Sequence, residues 1–278
     1  VTTAAPFKLT ECPSCGASRQ GRYCAACGEK FLSHDDFKLK HYLVEHLADE
    51  CLHVDGKLPR TLRLLFTQPG ALAVNYVAGR RQRFVGPLRL YVVLFLLHAF
   101  VLVAYGGLGA SLPQRVEEFD ATGVLSHLIL SRPDVDWQSP EVEAHLREHG
   151  HWLSEAATLL IFLVVAAVQK LIFYRLHRRY LEHVALALNV SALYLAIIVV
   201  GELLFGAVAR HRFGDFDATL QHLVGVSALP VYWFLAIRRF YGLRTVSSAA
   251  AAIVVTAVHA AVAVSFTTIV YAILIVTA

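Results

Sequence analysis

The chain reads as an all-α integral membrane bundle of about five transmembrane helices, with a small four-cysteine zinc ribbon at its N-terminus. Three observations predict this. Of 278 residues, 56% are apolar and 17% are charged, below the roughly 25% charged residues of soluble domains, and mean hydropathy is +0.54. Apolar runs long enough to cross a bilayer follow residue 87. Two C-x-x-C-G stretches come before them, and all five cysteines fall at or before position 51. The chain divides into a ribbon (1–32), amphipathic helices with a basic elbow (33–86), and a five-span bundle (87–278) with an outer loop at 106–153.

In the ribbon, Cys12-Pro13-Ser14-Cys15-Gly16 and Cys24-Ala25-Ala26-Cys27-Gly28 each form a knuckle. Two thiolates converge on one ion and the glycine permits the turn beyond. Cys12, Cys15, Cys24 and Cys27 together make a closed tetrahedron with no open position for substrate, so the zinc is structural. Too few residues lie here for a hydrophobic core, and the metal supplies the folding free energy. A redox dithiol or an iron–sulfur site is the alternative for such spacing. Arg19, Arg22 and Lys30 are offset by Glu11 and Glu29. That leaves no concentrated basic patch for nucleic acid, and docking of a cytosolic protein is the expected use.

Beyond the ribbon, Ser33 or Asp35 caps a helix whose Leu39, Leu43, Leu47 and Cys51 share a face, and Asp55-Gly56 stops it. His41, His46 and His53 share no face and read as solvated. Pro59 opens a second helix to Thr67 with Leu62, Leu65 and Phe66 on its apolar side, expected to lie along the lipid interface. Pro69 and Gly70 break it, and Gly79 ends the next helix in a left-handed C-cap. Tyr76 and Phe84 suit the headgroup layer. Arg80, Arg81, Arg83 and Arg89 are placed to contact anionic lipid headgroups, at about 1 kcal/mol each, or act only as topogenic charge.

Five spans follow: Leu90–Gly109, Trp152–Tyr174, Val184–Gly206, Ala218–Ile237 and Val246–Ile275. Arg175, Arg178 and Arg179 in one connection, and Arg238, Arg239 and Arg244 in another, belong in the cytoplasm. The 106–151 connection is poor in arginine and falls outside. The N-terminus is therefore cytoplasmic and the C-terminus external, in a multi-pass membrane protein. In the outer loop, Ser139-Pro140-Glu141 starts a helix on which Glu141, His145 and His149 share a face. They form a weak zinc or copper site, or a solvated face. Inside the spans stand His98, Gln169, Asn189, Glu202, His222 and His259. His98, Glu202, His222 and His259 are candidates for a proton path, a metal or a polar headgroup site, against a reading as interhelical glue. Ala257, Ala261 and Ser265 form a small-residue stripe expected at a close helix approach.

Cys12, Cys15, Cys24 and Cys27, followed by Thr61, Pro69, Gly70, Tyr76, Gly79, Arg81 and Pro87, resemble a bacterial membrane-protein family, the domain of unknown function 3667 family. Its members join a C-x-x-C-G ribbon to a juxtamembrane P-G…Y-x-x-G-K-R…Y…P motif. The Glu182-His183 pair is similar as well. Arg80 and Phe84 stand where lysine and tyrosine are usual, and Asn189 where histidine is expected. The resemblance is specific over residues 12–87 and implies no known activity, so it transfers no catalytic residue. With no H-E-x-x-H or G-x-S-x-G motif, the expected function is a non-enzymatic adaptor or sensor in the membrane. A small transporter or lipid-handling protein is the alternative, and an outer-face metalloenzyme ranks last.

Overall fold

The apolar runs become helix along most of the described residues. The structure, a computed structural model, describes residues 10–19, 21–31, 56–104, 159–201, 203 and 216–277. Among them are seven α-helices: α1 (Leu58–Thr67), α2 (Ala71–Val77), α3 (Pro87–Ala104), α4 (Ile161–Ile172), α5 (Tyr180–Gly201), α6 (Phe216–Tyr241) and α7 (Thr245–Thr277). Residues 10–31 carry two isolated bridges, Glu11 with Ser18 and Tyr23 with Lys30.

Helix α5 is the hub. Apolar residues surround its whole circumference, which suits a helix enclosed by others, and from Leu181 to Ala196 only Glu182 and Tyr194 are not buried. Helices α3, α4 and α6 pack around it, while α7 packs on α6 and α4. The short α1 and α2 also rest on α5, and α2 touches α6 and α3. Thr61 and Leu65 form the buried side of α1, whereas Phe66, expected on that side, points outward. Packing against the bundle, rather than against lipid alone, sets that face.

Two helices, α5 and the Thr245–Val262 part of α7, are long and apolar enough to cross a membrane by length and composition. Helix α4 has 12 residues, about 18 Å at the rise of an α-helix, against roughly 30 Å of hydrocarbon. The Trp152–Tyr174 span expected there is thus described only from 159 onward. Residues along α4 meet the near ends of its neighbours. Phe162 sets its ring edge-on to Tyr91 at 5.6 Å, Leu163 O accepts from Tyr180 at 2.7 Å, and Gln169 Oε1 accepts from Tyr241 at 3.2 Å.

Helix α7 turns a different face inward from the one expected. Ser248, Ala251, Ala252, Val255 and His259 are buried, at the three- and four-residue spacing of one face. Ala257, Ala261 and Ser265 are exposed on the other side. The inward face carries the His259 ring to Trp233 of α6, with centroids 6.4 Å apart.

The turn between α1 and α2 is held against α6. Tyr232 donates to Leu65 O at 2.9 Å and Arg239 to Pro69 O at 3.0 Å. Gly70 sits at φ 76°, and a Cβ there would lie 2.8 Å from Ala236 O. Gly242 has a similar φ of 66° but open space around it. Gly242→Ala should therefore cost only the left-handed strain, roughly 1–2 kcal/mol. Gly70→Ala should cost more, because the α6 backbone must move. Thermal unfolding of both variants in detergent checks the order: the midpoint of Gly70→Ala falls below that of Gly242→Ala.

Candidate metal ribbon and its seat on the elbow

The two knuckles repeat with a period set by Cys12 and Cys24. In each, the glycine N–H donates back to the first cysteine: Gly16 to Cys12 O at 2.9 Å and Gly28 to Cys24 O at 2.8 Å. The first cysteine N–H in turn donates across the turn, Cys12 to Ala17 O at 2.8 Å and Cys24 to Glu29 O at 2.9 Å. Both glycines have positive φ, 78° and 73°, which is what the tight turn requires. The four Sγ atoms lie within 4.8 Å of one another, with Cys12–Cys27 at 3.6 Å and Cys15–Cys24 at 3.5 Å. A tetrahedron with metal–sulfur bonds of about 2.3 Å has sulfur edges of about 3.8 Å, so the cluster fits a metal ion held by four thiolates. The remaining core is small: Phe31 packs with Cys12 and Cys24, and the Arg19 guanidinium covers its ring at 4.5 Å.

Sequence reasoning did not find the residue that fastens this ribbon. Glu29 had seemed only to balance nearby cations, yet its side chain is 1% exposed. Its Oε2 accepts from the backbone N–H of Arg81 at 3.0 Å, from that of Gln82 at 2.9 Å, and from the Ser14 hydroxyl. Gln82 Nε2 donates to Gly28 O at 3.0 Å, and Arg83 donates to Ser14 O at 2.9 Å. The ribbon is thus seated on residues 81–83 by four hydrogen bonds, two of them to the Glu29 carboxylate, which the Ser14 hydroxyl also meets from within the ribbon. Glu29 occupies in the second knuckle the place that Ala17 holds in the first, so the knuckle itself does not call for a carboxylate. Nothing in the cysteine spacing marks the position.

The elbow is fixed from below in the same way. Thr61 Oγ1 accepts from Val85 N at 3.0 Å and donates to Lys57 O at 2.8 Å, and Thr61 is fully buried. Gly79 takes the expected positive φ, 76°. Tyr76, expected among lipid headgroups, is instead buried, with the Arg81 guanidinium 4.0 Å above its ring. Of the four arginines expected at headgroups, Arg80 is exposed and Arg89 half-buried. Arg81 lies on the Tyr76 ring and Arg83 donates to Ser14 O of the ribbon.

The arginine-bearing connections meet at one end of the bundle. Arg239 touches Pro69; Arg178 donates to Phe240 O at 3.2 Å, pairs with Glu182 at 2.9 Å, and lies 4.8 Å over the Phe240 ring. Beneath it, Tyr241 stacks on Phe173 at 4.0 Å and its hydroxyl donates to Gln169 Oε1. The His183 Nδ1–H then donates to the same hydroxyl at 2.6 Å. Of the intramembrane candidates, His259 is buried against Trp233 and His98 is half-buried on α3. These two stand on helices with different packing partners. The Glu202 residue and the His222 side chain lie outside the described residues, as do Glu141, His145 and His149.

Burial pushes the Cys27 thiol up to about 12. Cys24 lies at about 7: burial pushes it up, and the N–H groups of Cys27 and Ala26 with the neighbouring thiols more than offset this. Loading a divalent metal must displace these protons. Apparent zinc affinity therefore falls as pH drops through 7, where Cys24 also becomes protonated, and keeps rising above it because the Cys27 proton is still displaced. Competition with a chromophoric chelator across about pH 6 to 8 reads this slope, and Cys12→Ser or Cys24→Ser should abolish stoichiometric binding.

No curated protein and no solved structure matches the chain. A family model described as "Protein of unknown function (DUF3667)" matches residues 55–98. The match takes in α1, α2, the elbow and the first part of α3, and leaves out the ribbon. Thr61, Gly70, Tyr76, Gly79 and Arg81, whose contacts build the elbow, all lie inside it, and over that stretch the chain is similar to this family of proteins of unknown function.

Proposed function

We propose that the chain is a non-enzymatic adaptor or sensor of the bacterial cytoplasmic membrane, with a structural zinc ribbon held on the cytosolic side. The observation that carries this reading is the Glu29 clamp. A metal site closed by four cysteines offers no position for substrate, and here it serves to hold Ser14, Gly28 and Glu29 in one surface that fits residues 81–83. The far side of the ribbon, where Tyr23 is exposed, is the side left for a cytosolic protein.

Support for the membrane comes from what the helices turn outward. Leu97 and Phe100 of α3, Val231 and Leu235 of α6, and Ile253 and Val254 of α7 are all exposed. So broad an apolar surface suits lipid. The gathering of Arg178, Arg239 and the 80–83 arginines at one end supports a cytoplasmic elbow and a five-span course with the C-terminus outside. Replacing Tyr23→Cys tests the orientation: a membrane-impermeant maleimide should label it only after cells are permeabilised. Photocrosslinking from the same position in cells should trap a defined cytosolic protein, and lose it in Cys12→Ser/Cys24→Ser. Labelling of intact cells, or crosslinks indifferent to the cysteines, overturns the proposal.

A second reading, a small transporter or lipid-handling protein, is favoured by one observation. The polar atoms of Asn189, Trp233 Nε1, Thr256 Oγ1 and His259 Nδ1 are buried with no hydrogen-bond partner. Unpaired groups of this kind destabilise a fold, so apolar replacement should be neutral or stabilising. On the adaptor reading, His259→Leu leaves the melting temperature unchanged or raises it and keeps the Tyr23 crosslink. Loss of cellular function despite an unchanged or raised melting temperature would assign His259 to a transported or bound molecule.

A further inference from the structure

The Arg81 and Gln82 N–H groups are consecutive in the chain and point at one oxygen, at 3.0 and 2.9 Å. Neighbouring amides in a strand face opposite ways. Two that converge form an anion-binding concavity of the kind that takes phosphate and carboxylate oxygens. Around it the chain places Arg80, Arg81 and Arg83 within four residues. The carboxylate that fills the concavity leaves cationic capacity over: Arg81 Nε and Nη2 are buried and have no acceptor. A half-buried guanidinium with two buried, unmet donors leaves room for more acceptor oxygens than one carboxylate brings.

We propose that the Arg81–Gln82 amide pair, with the Arg81 guanidinium, is a phosphate-binding seat that Glu29 of the ribbon occupies as a tethered competitor. This rests on the clamp described under Proposed function and adds a ligand to it. Glu29 comes from a knuckle position where the sister knuckle manages with Ala17, so the carboxylate serves the seat and not the ribbon fold. A phosphate has the same acceptor chemistry and further oxygens for Arg81. The seat lies at the foot of α3, next to Pro87, where an apolar helix with exposed Leu96, Leu97 and Phe100 begins. Phosphate there comes from an anionic phospholipid or from free inorganic phosphate. Because the ribbon's order depends on its metal, metal loading keeps Glu29 in the seat, and a collapsed ribbon opens it to phosphate.

The test is amide hydrogen exchange of the zinc-loaded full chain in nanodiscs, read on peptides covering residues 79–86. In neutral phosphatidylcholine, the wild-type Arg81 and Gln82 amides should be protected. Glu29→Ala should exchange on the order of tenfold or more faster there, as expected for losing a hydrogen bond to a charged acceptor. In discs containing about one-third phosphatidylglycerol its protection should return, and added salt should weaken the effect. Protection restored in neutral discs by inorganic phosphate alone assigns the free ion as the source, and also supports the seat. If Glu29→Ala stays unprotected in all three conditions, the seat is overturned while the clamp stands. If zinc-loaded wild type is itself unprotected in neutral discs, the clamp fails and takes the seat with it. Should Glu29→Ala lose zinc, Glu29→Leu makes the same comparison with side-chain bulk kept and no acceptor.

Discussion

A single carboxylate oxygen joins two parts of the chain that are far apart in sequence. Glu29 Oε2 receives the Ser14 hydroxyl from its own ribbon and the Arg81 and Gln82 amides from the elbow. A buried carboxylate is costly unless its lone pairs are met by well-placed donors, and leaving it unmatched costs more than the pair contributes when made. Separating the ribbon from the elbow therefore leaves donors and acceptors on both sides to be met by something else. Ser14 and Glu29 come from the two knuckles that Cys12–Cys15 and Cys24–Cys27 draw to one point, so a metal ion held there would act on the elbow through the positions of two side chains.

From the elbow the same constraint passes into the bundle through close contacts. Thr61 ties Val85 to α1, Arg81 lies over the buried Tyr76 ring, and Gly70 lets α2 approach the Ala236 backbone of α6. Each is a short-range fit of the sort that tolerates little displacement. A ribbon seated on residues 81–83 is thus mechanically continuous with the first helix of the bundle and with α6. The family model covers the residue 55–98 part of this linkage.

Much of this was legible in the sequence because spacing carries it. The C-x-x-C-G repeat specifies the four-thiol cluster, Pro69-Gly70 and Gly79 specify where helices stop, and the long apolar runs specify α3, α5, α6 and α7. What escaped depends on tertiary partners. Glu29 differs from any surface acid only through two amides some 50 residues onward. Tyr76 has the composition of a headgroup residue, and only the fold places it beneath Arg81. On α7, small residues lie on more than one face, and the Trp233 ring selects the one that carries His259. Periodicity ranks faces by hydropathy; it does not say which neighbour arrives.

The arginines at the elbow show why charge alone does not account for them. Arg178 bonds Glu182 and Phe240 O while lying over the Phe240 ring, and Arg81 lies flat on Tyr76. A planar guanidinium can stack on a ring and still direct N–H donors sideways; an ammonium supplies the charge without that geometry. Topogenic charge would be satisfied equally by lysine. Arginine at these positions therefore serves two requirements at once, carrying charge at this end of the bundle and packing the aromatic layer beneath it. That shared duty places the anion-seeking surface of the elbow against the foot of the bundle, where the ribbon's carboxylate meets it.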